Sequence, residues 1–79
     1  MKSNDIDWNK YFERDYKNLK EVLDMPEWLR KMYLPQTLRW CYWSLGNLSG
    51  NFINFPSDDH RKYFEELKEY SEKYKISLE

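Results

Sequence analysis

The scarcity of β-branched side chains constrains the fold of this chain more than any other feature of its sequence. Only five of the 79 residues are valine, isoleucine or threonine: Ile6, Val22, Thr37, Ile53 and Ile76. Strands are enriched in these residues because their stiff side chains pack well on a pleated surface. Charged residues make up 34% of the chain and carry both signs, which is typical of solvated helix faces. The sequence therefore predicts a single all-α domain spanning residues 1–79.

Size, charge and cysteine content exclude several classes of protein. The 13 Lys and Arg nearly balance the 14 Asp and Glu, so the chain lacks the basic excess of a general nucleic-acid binder. With one cysteine, Cys41, the chain can form no internal disulfide and no thiolate zinc site. The longest apolar run, Trp40–Trp43, is too short for a membrane span or a signal peptide. We therefore expect a cytoplasmic protein with no membrane contact and no cofactor.

Apolar residues that recur at steps of three and four predict helices, and the first two lie in the N-terminal half of the chain. The first runs from Ile6 to Leu23, with Asn4 or Asp5 as its N-cap. The second is short and runs from Pro26 to about Leu34. We expect it to stop there because Pro35 ends or kinks a helix.

Two more helices are predicted farther along the chain. The third begins at Pro35 or Gln36 and runs to about Leu48, with a glycine (Gly46 or Gly50) as its left-handed stop. The fourth follows Ser57, which can cap it. Three apolar side chains of the intervening loop are expected to pin that loop to the core: Phe52, Ile53 and Phe55. The prediction is a small bundle of three long helices and one short helix, with an aromatic-pegged loop before the last.

The predicted third helix has two faces. Successive residues of an α-helix point 100° apart. One face is an aliphatic line that must belong to the core: Leu34, Leu38, Cys41, Leu45 and Leu48. The opposite face gathers two indoles, two amides and a guanidinium: Gln36, Arg39, Trp40, Trp43 and Asn47.

Two interpretations of this second face remain open. In a four-helix fold, a neighbouring helix could bury Trp40 and Trp43 in the core. Alternatively, the face is exposed and binds a partner, since Trp, Tyr and Arg dominate the energetics of protein interfaces. Both interpretations hold together in a homodimer, where the helix would pack across a two-fold axis.

Two features of the sequence support the binding interpretation. Aromatic residues make up 19% of the chain, and each large ring buries about 150–250 Å², which a core this small cannot supply for all of them. Residues 25–57 also form the one net basic segment of the sequence. The candidate protein-binding residues are Trp28, Arg30, Lys31, Gln36, Arg39, Trp40, Trp43 and Asn47.

No set of residues suggests catalysis or metal binding. The run Asp58-Asp59-His60 cannot close on one ion because consecutive helical residues diverge by 100°. The two aspartates instead suit the positive end of a helix, and His60 is expected to be a solvated first-turn residue. Cys41 lies on the aliphatic line and is expected to be an inert buried thiol. The sequence therefore predicts that the protein is not an enzyme.

These observations favour a small interaction module that binds a larger protein and inhibits or adapts it. The richness in Lys, Asn, Tyr and Glu without any alanine is typical of AT-rich bacterial and phage genomes. It favours a phage accessory or anti-defence protein, such as an anti-CRISPR, that acts in the host cytoplasm. The alternative is a single-stranded nucleic-acid binder, in which aromatic rings stack on bases and Arg30, Lys31 and Arg39 contact phosphates.

Overall fold

A computed structural model describes residues 7–78 of the chain, and these residues contain three α-helices. They are α1 (Trp8–Leu23), α2 (Glu27–Leu48) and α3 (Asp58–Lys73). No strand occurs between residues 7 and 78, so the predicted all-α class is confirmed. The domain is elongated, with principal extents of 43 × 24 × 21 Å.

The predicted boundary at Pro35 is wrong, because α2 continues through this proline as one helix. Proline removes the hydrogen bond to the carbonyl of Lys31 and costs about 3 kcal/mol inside a helix. On either side of it, Leu34 and Leu38 are both buried on the same inward line. Continuity of the helix keeps both leucines in the core, and their burial outweighs the cost of the proline.

Capping side chains mark the starts of α1 and α3. Asp7 caps α1, and its carboxylate accepts a hydrogen bond from the Lys10 backbone N–H at 3.1 Å. The predicted range from Ile6 starts too early, because Asp7 precedes the helix. The predicted caps Asn4 and Asp5, and Ile6 itself, lie outside the described residues. The predicted cap of α3 is confirmed, because the Ser57 hydroxyl accepts a hydrogen bond from the backbone N–H of the third residue of that helix.

The core is built around the aliphatic line of α2, as predicted. Four of its members are fully buried, and Leu48 is half-buried. The other two helices contribute four more buried apolar side chains: Phe12, Leu19, Val22 and Leu67. Among the described residues, these eight buried apolar side chains form a core that contains no tryptophan.

Side chains at two levels join α3 to α1, and they show that the two helices run parallel. At the first level the His60 ring lies 2.7 Å (Nδ1) from the Ser57 hydroxyl and 3.0 Å (Nε2) from the Asn9 side-chain oxygen. At the second, the Tyr16 hydroxyl donates to Glu66 at 3.0 Å. His60 lies in the first turn of α3, as expected, and its imidazole also bridges the two helices.

The loop after α2 turns through three consecutive left-handed residues, Gly50, Asn51 and Phe52, at φ 58°, 62° and 67°. The Phe52 ring stacks between those of Tyr42 and Phe64, with centroid distances of 4.5 and 4.8 Å. Phe55 also contacts the Phe64 ring, with a centroid distance of 5.6 Å.

The prediction that Ile53 pins this loop to the core is wrong. Ile53 is 73% exposed and does not reach the core. The left-handed backbone at the preceding residue turns the chain so that the phenylalanine side chain, and not the isoleucine, faces the helices.

Candidate protein-interaction face

Three of the four tryptophans project from α2 into solvent. Trp28, Trp40 and Trp43 are 67%, 48% and 59% exposed. Within the described part of the chain, no helix buries Trp40 or Trp43, although α1 contacts Trp43. The interpretation in which a neighbouring helix buries these two indoles is therefore wrong for the single chain.

The helical repeat explains why the indoles face outward. The aliphatic line fixes one side of α2 toward the core, so residues about half a turn away must point to solvent. We call the exposed residues of this outer side the aromatic face; they are Trp28, Met32, Tyr33, Gln36, Trp40 and Trp43. At 1.5 Å per residue, the face extends about 22 Å along the helix.

The N-terminal part of α1 extends the aromatic face near the C-terminal end of α2. Four rings line a groove of about 310 Å³ between the two helices: Trp8, Tyr11, Trp40 and Trp43. The ring of Trp8 meets that of Trp43 edge to face, with centroids 4.9 Å apart and an interplanar angle of 85°. Residues 24–26 join the end of α1 to the start of α2, so this contact between the start of α1 and the end of α2 shows that the two helices run antiparallel. We call this site the aromatic groove.

A buried polar pair lies at the base of the aromatic groove. Asp15 is 7% exposed and Ser44 is 1% exposed, and both line the groove. The Ser44 hydroxyl donates a hydrogen bond to Asp15 Oδ2 at 2.8 Å. Arg14, at the rim, places its Nε 3.7 Å from Asp15 Oδ1 and its guanidinium 4.8 Å from the centre of the Tyr11 ring.

Sequence reasoning missed this polar pair, although a signal was present. Asp15 lies three residues after Phe12 and four before Leu19, which places a carboxylate on the apolar stripe of α1. Ser44 likewise falls beside Leu45 on the inward side of α2. Two polar residues on facing apolar stripes indicate a buried hydrogen bond, because buried polar groups are nearly always paired.

The structure divides the predicted binding residues among separate surfaces. Arg30 and Lys31 line another groove, between α2 and the segment that follows α3. Arg30 lies over the Tyr74 ring at 5.2 Å, and Lys31 pairs with Glu27 at 3.4 Å. These two cations therefore face away from the aromatic groove.

Two further predicted residues flank the aromatic face on the side toward the C-terminal segment. Arg39 is exposed, and its Nε donates to the Ser77 carbonyl oxygen at 2.8 Å. The Asn47 side-chain amide donates to the Trp43 carbonyl oxygen at 2.9 Å. Both side chains line a shallow depression that shares Trp43 with the aromatic groove.

The remaining candidate groups for chemistry are buried or dispersed. Burial raises the pKa of the Cys41 thiol to about 12, and the nearby Asp15 charge adds to this shift. The thiol is therefore protonated at neutral pH, which removes its nucleophilic form. Residues 7–78 contain no group of three or more His, Cys, Asp or Glu side chains placed to hold a metal ion.

The chain matches no family model, no curated protein and no solved structure. None of the helices in the described ranges combines the length and apolar character needed to cross a membrane.

Proposed function

We propose that this protein is a small interaction module that binds a larger protein through its aromatic face. The observation that carries the proposal is that the core closes without tryptophan while three indoles of α2 remain exposed. Side chains that the fold does not need for burial are free to bury against a partner. Contiguous exposed apolar patches rimmed by polar residues mark interaction sites and ligand-binding grooves.

The chemistry of the aromatic face supports this proposal. Tryptophan, tyrosine and arginine are the residues that most often dominate binding energy at protein interfaces. Trp40 and Trp43 lie on adjacent turns of α2, and Arg39 flanks them on the side toward the C-terminal segment. Such a cluster can inhibit or adapt a partner by occupying one of its grooves, with no chemical step required.

The alternative proposal is single-stranded nucleic-acid binding, and the same exposed indoles support it. Each base stacked on an aromatic ring contributes about 1–3 kcal/mol. The three cations that would contact phosphates already have contacts within the chain, which disfavours this alternative. Arg30 lies over a ring, Lys31 pairs with a carboxylate and Arg39 donates to a carbonyl oxygen. We therefore place protein binding first.

Affinity capture from a bacterial lysate, followed by light scattering of the purified complex, tests the proposal. Bacterial and phage-infected lysates are the first choice because the composition favours that origin. We expect a stoichiometric protein partner that the Trp43→Ala variant fails to retain. The matched control is Lys62→Ala, an exposed change on α3 away from the aromatic face, which should retain the partner fully.

Three outcomes contradict the proposal. If Trp43→Ala unfolds the domain, as judged by circular dichroism, the indole belongs to the core. If light scattering of the chain alone gives twice 9.9 kDa and Trp43→Ala restores the monomer, the face is a homodimer interface. If single-stranded DNA or RNA binds at about 50 mM salt with a steep salt dependence, the nucleic-acid alternative is favoured.

A further inference from the structure

We propose that the aromatic groove receives a cationic side chain, arginine or lysine, from the partner. The inference rests on the proposed function for the source of that side chain, but the groove can be tested with a small cation alone. It follows from the combination of four aromatic rings and one buried carboxylate in a single groove.

The walls of the groove suit a cation. Aromatic faces carry negative potential and attract ammonium or guanidinium groups within about 6 Å of the ring centre. Trp8 and Tyr11 stand 5.9 Å apart, and Trp8 also contacts Trp43, so neighbouring rings surround the opening. The guanidinium of Arg14 already lies 4.8 Å from the centre of the Tyr11 ring, so the rim accommodates this chemistry.

The base of the groove supplies the matching negative charge. The Asp15 carboxylate can accept about four hydrogen bonds, and in the described structure Ser44 donates one, to Oδ2. The contact of Arg14 Nε with the other oxygen, at 3.7 Å, is longer than a hydrogen bond. Asp15 therefore keeps acceptor capacity toward the groove while most of its surface is withdrawn from water.

Other occupants fit this base less well. A neutral apolar side chain would cover the Asp15 carboxylate and remove its remaining water without replacing the lost hydrogen bonds, which is costly. An anion would meet the carboxylate as a like charge, and Arg14, which is largely exposed at the rim, is the one cation among the described residues that line the groove. A guanidinium or ammonium group instead offers donors to Asp15 and a charge to the rings.

Titration with N-acetyl-arginine amide, followed by NMR of the four indole N–H signals, tests this inference. The uncharged control ligand is N-acetyl-citrulline amide, which has nearly the same shape. We expect the arginine probe to shift the signals of Trp8, Trp40 and Trp43, while the citrulline probe leaves them in place. Trp28 lies outside the groove and serves as the internal control, whose signal should not move.

Two variants test whether the Asp15 carboxylate is the group that binds the arginine probe. Asp15→Asn keeps an oxygen that can accept the Ser44 hydrogen bond, and we expect it to weaken arginine binding about tenfold or more. Arg14→Gln removes a competing cation at the rim, and we expect it to tighten binding severalfold. An anion site would respond to both variants in the opposite direction.

Equal shifts with both probes, an equal shift at Trp28, or an Asp15→Asn variant of unchanged affinity would overturn the inference. These results are separable from the proposed function. If a partner is captured but the arginine probe does not bind, the proposed function holds and the inference of a cation site is wrong. If the arginine probe binds but no partner is captured, the inference of a cation site holds and the proposed function is contradicted.

Discussion

Replacement of Pro35 by alanine should stabilise the protein. In α2 the proline lies in the ninth position of a 22-residue helix, where its ring has no N–H to donate to the Lys31 carbonyl oxygen. Pro35→Ala supplies that missing hydrogen bond and removes the clash of the ring with the preceding turn. The sign of the effect depends on whether the helix is continuous at this point.

The magnitude follows from three terms. Alanine is favoured over proline inside a helix by about 3 kcal/mol. The variant loses the restriction that proline places on the unfolded chain, about 0.4–1 kcal/mol. It also loses part of the half-buried ring surface beside Tyr74 and Ile76, about 1 kcal/mol. The net gain is about 1–2 kcal/mol, and each kcal/mol raises the Tm of a domain this size by about 4–8 °C.

Urea denaturation of Pro35→Ala, followed by far-ultraviolet circular dichroism, measures this gain. The matched control is Pro56→Ala, which changes an exposed proline outside the helices and should lose about 0.4–1 kcal/mol. Opposite signs for the two variants are the expected result. A Pro35→Ala variant no more stable than the original chain would refute the continuous helix and restore the break between two helices.

Three further changes test the packing. Because burial raises the pKa of Cys41 from 9.0 to about 12, the folded chain holds a proton that the unfolded chain releases in that interval. Stability should therefore fall by about 1.4 kcal/mol per pH unit between pH 9 and about 12. Urea titrations should find a fall shallower by that amount in Cys41→Ala, where the raised pKa values of Tyr16 and Lys20 still contribute; equal slopes contradict it. Gly46→Ala would place a Cβ 3.0 Å from the Phe52 ring, so we expect a loss of about 1 kcal/mol after its helix-propensity gain. Phe52→Leu should relieve that loss in the double variant, and a stabilised Gly46→Ala would be inconsistent with the stacked ring. Alanine at His60 and at Asn9 should each cost about 0.5–1.5 kcal/mol, with a non-additive double variant; strict additivity in thermal melts would show that the two side chains do not interact.

Much of the fold could be predicted because each helix carries a local signal. The aliphatic line of α2 follows from its steps of three and four, and Ser57 is a strong N-cap residue followed by two acids. The break at Pro35 was predicted wrongly because the local cost of proline is visible in the sequence, whereas the burial of Leu34 and Leu38 on a common core depends on the assembled fold.

The candidate site could be predicted only in part. The outward direction of Trp40 and Trp43 follows from helical geometry once the aliphatic line is placed inside. The contribution of α1 does not, because Trp8 and Tyr11 share the spacing of its core residues. Their place in the aromatic groove depends on how α1 is rotated against α2, and no local pattern in either helix fixes that rotation.

The central claim is that the indoles of the aromatic face are open to a partner because the core is complete without them. Relaxation enhancement of NMR signals by a neutral soluble gadolinium chelate tests it most directly. We expect strong broadening of the Trp28, Trp40 and Trp43 indole N–H signals and little effect on the Leu38 methyl signals. If the Trp40 and Trp43 signals are as protected as those of Leu38 in a sample shown to be monomeric, the aromatic face is part of the core and the proposed binding surface does not exist.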